Sequence, residues 1–392
     1  MSRVLIRNGR IFFCPSLPIA RCVVSSTSTA IDDIDEASKS IKKIKLAIGV
    51  ASDLSKAKLS GFVAMTTFAG YAATGAPLLS AGGVIDTSAI LATGGVFLCS
   101  ASANALNQVY ECDRDAVMER TKRRPLPSGK CSKNMALGLA LTSGVCGIGA
   151  LALTGSGTAA QLGAGNIALY AGIYTPLKQR SEFNTWVGAL VGGIPPLIGW
   201  AAAGESLYAS DPWLLATLLY LWQFPHFFAL AWRYKADYTR GNYKMVAVND
   251  PTGLRTARLV SNYAIYATAL PPIAIALGAQ GSMFALEGFA LNALLLHAAN
   301  HFHRDRSKAN ATRIFRVTLL YLPLLLLAFL LHSKRLHSAH DDDSNSTLEK
   351  HWWTLRHVLD PIRDLGRDLC VHELFFFAAT RHTTTISLPF SS

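Results

Sequence analysis

The sequence predicts an all-α polytopic membrane protein, and three observations lead there. Charged residues make up 16% of the chain and hydrophobic residues 51%, against about a quarter charged in ordinary soluble domains. Asp, Glu, Lys and Arg vanish together over residues 59–85, 87–110, 134–177, 183–204, 212–232, 259–286 and 317–333. The polar links between the spans that these windows hold alternate between basic and free of Lys and Arg. A bilayer crossing needs about 20 apolar residues, and a soluble amphipathic helix keeps charge on its outer face. A soluble enzyme, a disordered chain and a β-barrel are thereby excluded.

Residues 1–31 hold Arg3, Arg7, Arg10 and Arg21, five serines and no acidic residue. That is the composition of a mitochondrial transit peptide, assigned to residues 1–35. Residues 36–58 place Ile41, Ile44, Ala47 and Ile48 among Lys42, Lys43 and Lys45, an amphipathic segment for the matrix-side membrane surface. The uncharged windows then resolve into nine spans near 59–76, 87–109, 134–153, 159–176, 184–203, 212–231, 260–278, 284–301 and 315–332. The longest window is divided by Thr154, Gly155, Ser156, Gly157 and Thr158, a run of helix breakers. The expected fold is a nine-transmembrane-helix bundle over 59–332, followed by a C-terminal extension, 333–392, in which no chemistry is legible.

The basic residues orient this bundle. The links after spans 2, 4, 6 and 8 carry groups such as Arg120, Lys122, Arg123 and Arg124, or Lys178 and Arg180, whereas those after spans 1, 3, 5 and 7 carry none. Under the positive-inside rule this puts the even-numbered links and the N-terminus on one face, the matrix face after mitochondrial import. The net charge of +12 is thus read as topology, with no nucleic acid expected. Seven cysteines (14, 22, 99, 112, 131, 146 and 370) form no C-x-x-C pair and read as scattered thiols.

Chemistry enters at the end of span 2. Asn107, Glu111 and Asp115 are spaced i, i+4, i+8 and so share one helix face. An amide and two carboxylates suit a hard cation such as Mg²⁺, which takes few protein ligands and prefers phosphate as a partner. Five residues on come Arg120, Thr121, Lys122, Arg123, Arg124, Pro125 and Leu126. Acidic ligands beside dense basic charge are reconciled by a bridging polyanion, such as a diphosphate held between metal and guanidinium groups. A solvated helix end would explain the Lys and Arg, but not Glu111 at the membrane edge.

These residues resemble the first signature of the UbiA superfamily of intramembrane prenyltransferases, and more narrowly its protoheme IX farnesyltransferase (heme O synthase) branch. The resemblance extends to Tyr174-Thr175-Pro176-Leu177-Lys178-Gln179-Arg180, Asn184-Thr185-Trp186-Val187-Gly188, Ile194-Pro195-Pro196 with Gly199-Trp200, Trp222-Gln223-Phe224-Pro225-His226, and Asp237-Tyr238-Thr239-Arg240-Gly241. A pre-span segment with Lys56, Ala57 and Lys58 departs from the family's usual Lys-Pro-Arg. About residues 53–332 are covered.

The resemblance implies a Mg²⁺-dependent enzyme that joins farnesyl diphosphate to heme b at the bilayer of the mitochondrial inner membrane. The metal would be held by Asn107, Glu111, Asp115 and Asp237, and the diphosphate by Arg120, Lys122, Arg124, Lys178, Arg180 and Arg240. His226 and Trp222, in mid-span, are the heme-binding candidates, with His226 an axial ligand to iron. Handover of product to the next enzyme of heme A formation and a homo-oligomer are compatible with this reading. Two other functions stay open at this point: a UbiA-type prenyltransferase acting on an aromatic acceptor, and a transporter or assembly scaffold.

Overall fold

The computed structural model describes residues 38–335 apart from 80–82 and 84, together with Glu36 and a short antiparallel ladder pairing Ile6–Arg7 with Arg10–Ile11. The transit-peptide assignment, that ladder aside, and the tail beyond 335 lie outside the described residues. Residues 38–54 form α1, a helix that leaves Ile41, Ile44, Leu46 and Ile48 exposed. Its last turn packs Val50 and Leu54 against Leu126, Cys131 and Ala136.

Nine helical rods follow among the described residues, one for each expected span. They are α2 (Ala57–Ala72), α3 (Thr87–Val117), α4 (Lys133–Ala152), and a compound rod of α5 (Gly157–Ala168), a π-helical stretch (Leu169–Tyr174) and α6 (Thr175–Leu177). Next come α7 (Asn184–Ala202), α8 (Ser210–Arg233) and the short α9 (Lys235–Arg240) outside the rods. Then α10 (Leu254–Thr268) runs on into α11 (Leu270–Ala276), before α12 (Ser282–Arg304) and α13 (Lys308–Leu331).

Seven rods are long and apolar enough to cross a membrane by length and composition. The other two are α2, at 16 residues, and the fourth rod, which is interrupted by its π-helical stretch. The second rod also corrects an expected boundary, running eight residues past 109. Its 31 residues span about 46 Å at 1.5 Å per residue, more than the roughly 30 Å of hydrocarbon in a bilayer. Its C-terminal turns therefore stand in the interfacial layer with Asn107, Glu111 and Asp115.

Close helix approach builds the bundle. α2 crosses α7 where Gly199 faces the Thr67 carbonyl and Gly70 faces Pro196; a Cβ on either glycine would overlap that backbone. With lipid as solvent, such small-residue crossings supply the packing that hydrophobic burial supplies in water. α8 lies against α7, α10 and α13, around fully buried Phe224, Phe228, Phe302 and Phe329. Asp86, the acid that ends the first uncharged window, caps α3 by accepting from the Ser88 and Ala89 amides and from the Tyr71 hydroxyl at 2.7 Å.

Candidate functional site

At the interfacial end of α3, Asn107, Glu111 and Asp115 are all buried, at 1%, 4% and 0% exposure. Each meets a different partner. Lys178, just past α6, donates to Glu111 Oε1 at 2.9 Å. Arg124, in the turn after α3, donates to Asp115 Oδ2 at 2.6 Å. Lys56 donates to Asn107 Oδ1 at 3.2 Å, and the Asn107 amide nitrogen donates to Thr175 Oγ1 at 3.1 Å.

Local backbone explains how these partners arrive. Lys56 sits between α1 and α2 with φ 45° and ψ 53°, a left-handed conformation that a side-chain-bearing residue adopts only at a cost. The Gln108 amide holds this joint by donating to the Asp53 and Leu54 carbonyls at 2.9 and 2.8 Å. In the fourth rod, Thr175 Oγ1 donates to the Tyr170 carbonyl five residues back, across the π-helical stretch, and so turns toward Asn107. The Thr121 hydroxyl bonds the Asp115 carbonyl and fixes the turn that returns Arg124.

The chamber thus sets Lys56, Arg124 and Lys178 against Glu111 and Asp115, a balance that leaves room for added negative charge. Burial first, then Arg124 and Lys178, push the Lys56 ammonium down to about 7. Burial is also the largest influence on Lys178 and opposes its charge, but Glu111 and Tyr170 outweigh it and hold this lysine above its ordinary range. Tyr243 comes from the link after α9; burial, reinforced by Glu111 and Asp115, raises its phenol well above the ordinary value. Asp115 Oδ1 is buried here without a partner among the described residues. An orphaned carboxylate oxygen beside a second carboxylate and an amide oxygen fits a hard divalent cation.

The second expected cluster is arranged otherwise. Asp237 Oδ1 accepts from the Glu119 amide at 3.2 Å and from Arg240. Those hydrogen bonds outweigh burial and hold its carboxyl below the ordinary range. This ties α9 to the turn after α3. Among the described residues no three His, Cys, Asp or Glu side chains converge on one point; Asp237 stands on α9 with Arg240 and the Glu119 amide as its partners. Arg120 lies over the Tyr234 and Tyr238 rings, 5.1 and 5.6 Å from their centroids. Lys122 pairs outward with Glu119, and Arg180 is exposed. Lys56, Thr175 and Tyr243 belong to the chamber although the sequence assigns them no role; Lys56 and Thr175 fall within segments compared with the family, and Tyr243 leaves no signal.

Beyond Tyr170 and Tyr174 lies an apolar cavity of about 330 Å³ between α2, α3, the fourth rod, α7 and α8. Tyr174 marks its boundary with the chamber, its ring centroid 4.5 Å from Lys178 Nζ. His226 and Trp222 line the cavity, their rings stacked 4.9 Å apart. Cys99 also lines it, and the described cysteines 99, 112, 131 and 146 are all free thiols.

Known proteins resemble this chain in sequence and in fold. The UbiA prenyltransferase family profile matches residues 63–330. The mitochondrial protoheme IX farnesyltransferase of Arabidopsis thaliana is 43% identical over 71% of this chain and 64% of its own length. The human protein of that name is 39% identical over 74% of this chain and 64% of its own length. The protoheme IX farnesyltransferase of Solibacter usitatus is 37% identical over 59% of this chain and 79% of its own length. The chain therefore spans just under two thirds of the mitochondrial relatives. Solved structures share the fold at low identity. A digeranylgeranylglyceryl phosphate synthase has a TM-score of 0.59 at 17% identity, covering 73% of this chain and 98% of its own. A UbiA homolog from Aeropyrum pernix K1 has a TM-score of 0.55 at 18% identity, covering 69% of this chain and 98% of its own. With a profile matched along every rod from the first to the last, and relatives above 35% identity over most of the chain, this protein belongs to the UbiA prenyltransferase family.

Proposed function

We propose that this protein transfers the farnesyl group of farnesyl diphosphate to a vinyl carbon of protoheme IX, with addition of water, giving heme O and diphosphate. The observation that carries the reading is the joining of two unlike compartments: a chamber of paired carboxylates and cations opening beside an apolar cavity edged by Tyr174. The names of the relatives supply the acceptor, protoheme IX. Asn107, Glu111 and Asp115, with Asp237 of the second cluster, would hold Mg²⁺, which when bound neutralises the leaving diphosphate. A homologous fold from Archaeoglobus fulgidus, at TM-score 0.52, 12% identity and 71% cover of this chain, was solved with DMAPP and Mg²⁺.

Lys56, Arg124 and Lys178, with Arg120 nearby, bind the diphosphate oxygens and stabilise the charge that develops as the allylic C–O bond breaks. The farnesyl chain lies in the apolar cavity, whose walls exclude water from the allylic cation. The vinyl π electrons then form the new C–C bond, and water captures the cation left beside the pyrrole, losing a proton as the hydroxyl forms. His226 and Trp222 hold the porphyrin. Asp237 and Arg240 brace the chamber wall, while Lys122 and Arg180 act through the basic field of the face on which substrate arrives. The protein works in the mitochondrial inner membrane with the chamber toward the matrix.

The test incubates membranes carrying the protein with heme b, Mg²⁺ and farnesyl diphosphate, and resolves products by mass. Heme gaining one farnesyl group and one hydroxyl is expected. Unchanged heme, with 4-hydroxybenzoate prenylated instead, would transfer the assignment to an aromatic acceptor.

A further inference from the structure

The proton on the cavity's imidazole can be located by counting the protons of one hydroxyl. Thr318, on α13, is 0% exposed. Its Oγ1 lies 2.8 Å from the Phe315 carbonyl oxygen and 2.9 Å from His226 Nδ1. A carbonyl oxygen only accepts, so an oxygen–oxygen approach of that length requires the hydroxyl proton to lie between Thr318 and Phe315. The hydroxyl has no second proton. The 2.9 Å contact must then be bridged by a proton on His226 Nδ1, donated to Thr318. A neutral imidazole carries one N–H, so Nε2 keeps its lone pair.

The surroundings hold the ring in that pose. Trp222 stacks on one side and Phe315 lies 4.7 Å away, centroid to centroid. Trp222 Nε1 donates to the Thr318 carbonyl at 2.7 Å, so one residue of α13 positions both Trp222 and His226. Among the described residues no hydrogen bond reaches Nε2. The Nδ1 edge is turned to α13, and the ring lines the cavity.

We infer that Thr318 is a positioning residue that keeps His226 as an Nε2 electron-pair donor toward the cavity, where it ligates the iron of a planar porphyrin. Histidines that bind metals characteristically donate their other ring N–H to a fixed acceptor, which orients the ring and raises its basicity. Thr318 is placed to be that acceptor. The inference rests on the heme reading above.

The experiment labels the purified, heme-free protein in detergent with ¹⁵N-histidine and identifies the His226 signals as those absent from His226→Gln. The wild type and Thr318→Ser should show Nδ1 protonated and Nε2 bare. Thr318→Val keeps the shape, removes the acceptor and should populate the opposite tautomer. Heme titration by absorbance should then show affinity lowered roughly tenfold in Thr318→Val and retained in Thr318→Ser. A wild type protonated on Nε2, or a valine variant with unchanged nitrogen spectrum, overturns the inference. So does an altered tautomer with unaltered heme affinity. If the wild type binds no heme, the heme reading fails and the iron ligand with it, while the nitrogen spectrum still decides the tautomer.

Discussion

The chamber at the end of α3 and the cavity beside α8 handle polar groups in opposite ways. In the chamber each carboxylate of the α3 row faces a cation from outside the helix: Glu111 takes Lys178, and Asp115 takes Arg124. These pairs are exchangeable, because each partner has equal use for a metal or a phosphate oxygen. On the α8 wall of the cavity the polar groups are tied to backbone or to a single hydroxyl. Gln223 donates to the Ala189 and Leu219 carbonyls, and His226 Nδ1 shares a hydrogen bond with the Thr318 hydroxyl. One region is built to trade partners as a charged group arrives and leaves; the other holds its shape around a reactive cation. Losses in the two should therefore differ in kind as well as in size.

The largest effect belongs to the α3 row. Glu111→Gln and Asp115→Asn should each lower prenyl transfer by roughly 10²-fold or more, as removal of preorganised electrostatic stabilisation does elsewhere. The protein should remain folded in the membrane. Wild-type turnover by either variant at limiting Mg²⁺ would break the metal assignment. Lys56→Gln ranks next, with on the order of tenfold lower turnover, equivalent to about 1.4 kcal/mol of transition-state stabilisation. Lys56→Arg should recover part of it, because the charge is kept on a longer stem. An unchanged rate in Lys56→Gln would make the Asn107 contact purely structural.

The two regions were also unequally legible in the sequence. The rods could be read because lipid demands apolar runs, and the alternating basic links oriented them before any coordinates. The α3 row could be read from helical spacing, which is local. Its partners could not: Lys178 and Lys56 lie 67 and 51 positions from the residues they meet. Span 2 was cut short at 109 because a hydropathy window stops at Glu111, whereas in the helix that side chain turns inward. The π-helical stretch has no simple sequence pattern, so the matched segment that holds Thr175 does not reveal its turn toward Asn107. Left-handed Lys56 was equally hidden, since such a φ is expected of glycine or asparagine. In the cavity His226 stood out by type and depth, but Thr318 reads as one more residue of an apolar run.

His226→Ala sharpens the comparison from the cavity side. Heme affinity should fall roughly tenfold or more, while farnesyl diphosphate continues to protect the chamber-face links from proteolysis. His226 lies seven residues before the end of α8, about 10 Å at 1.5 Å per residue, which is too far for a phosphate contact. Normal heme binding with lost diphosphate protection would place His226 in the polar region and erase the division.

The smallest effect concerns what holds the chamber's outer wall. Asp250 ends the link that carries Tyr243 inward. Its Oδ1 accepts from the Gly253 amide at 2.9 Å, and its Oδ2 from the Thr256 amide and hydroxyl at 2.7 and 2.8 Å. It thereby satisfies donors left open at the start of α10. Burial opposes the carboxylate, but the hydrogen bonds from Thr256 and Gly253 outweigh it and hold the carboxyl below its ordinary value of 3.8. A depressed carboxylate contributes stability that is fully present above its unfolded value and is lost as pH falls through the folded one. Asp250→Asn should cost about 1 kcal/mol at neutral pH, typical of a lost helix-start acceptor, and should flatten the fall in melting temperature of the detergent-solubilised protein on acidification below pH 3.8. Because the link braces the chamber and leaves the cavity alone, diphosphate protection should weaken slightly in this variant while heme titration stays unchanged. A matching loss in both would mean that the two regions unfold as one unit.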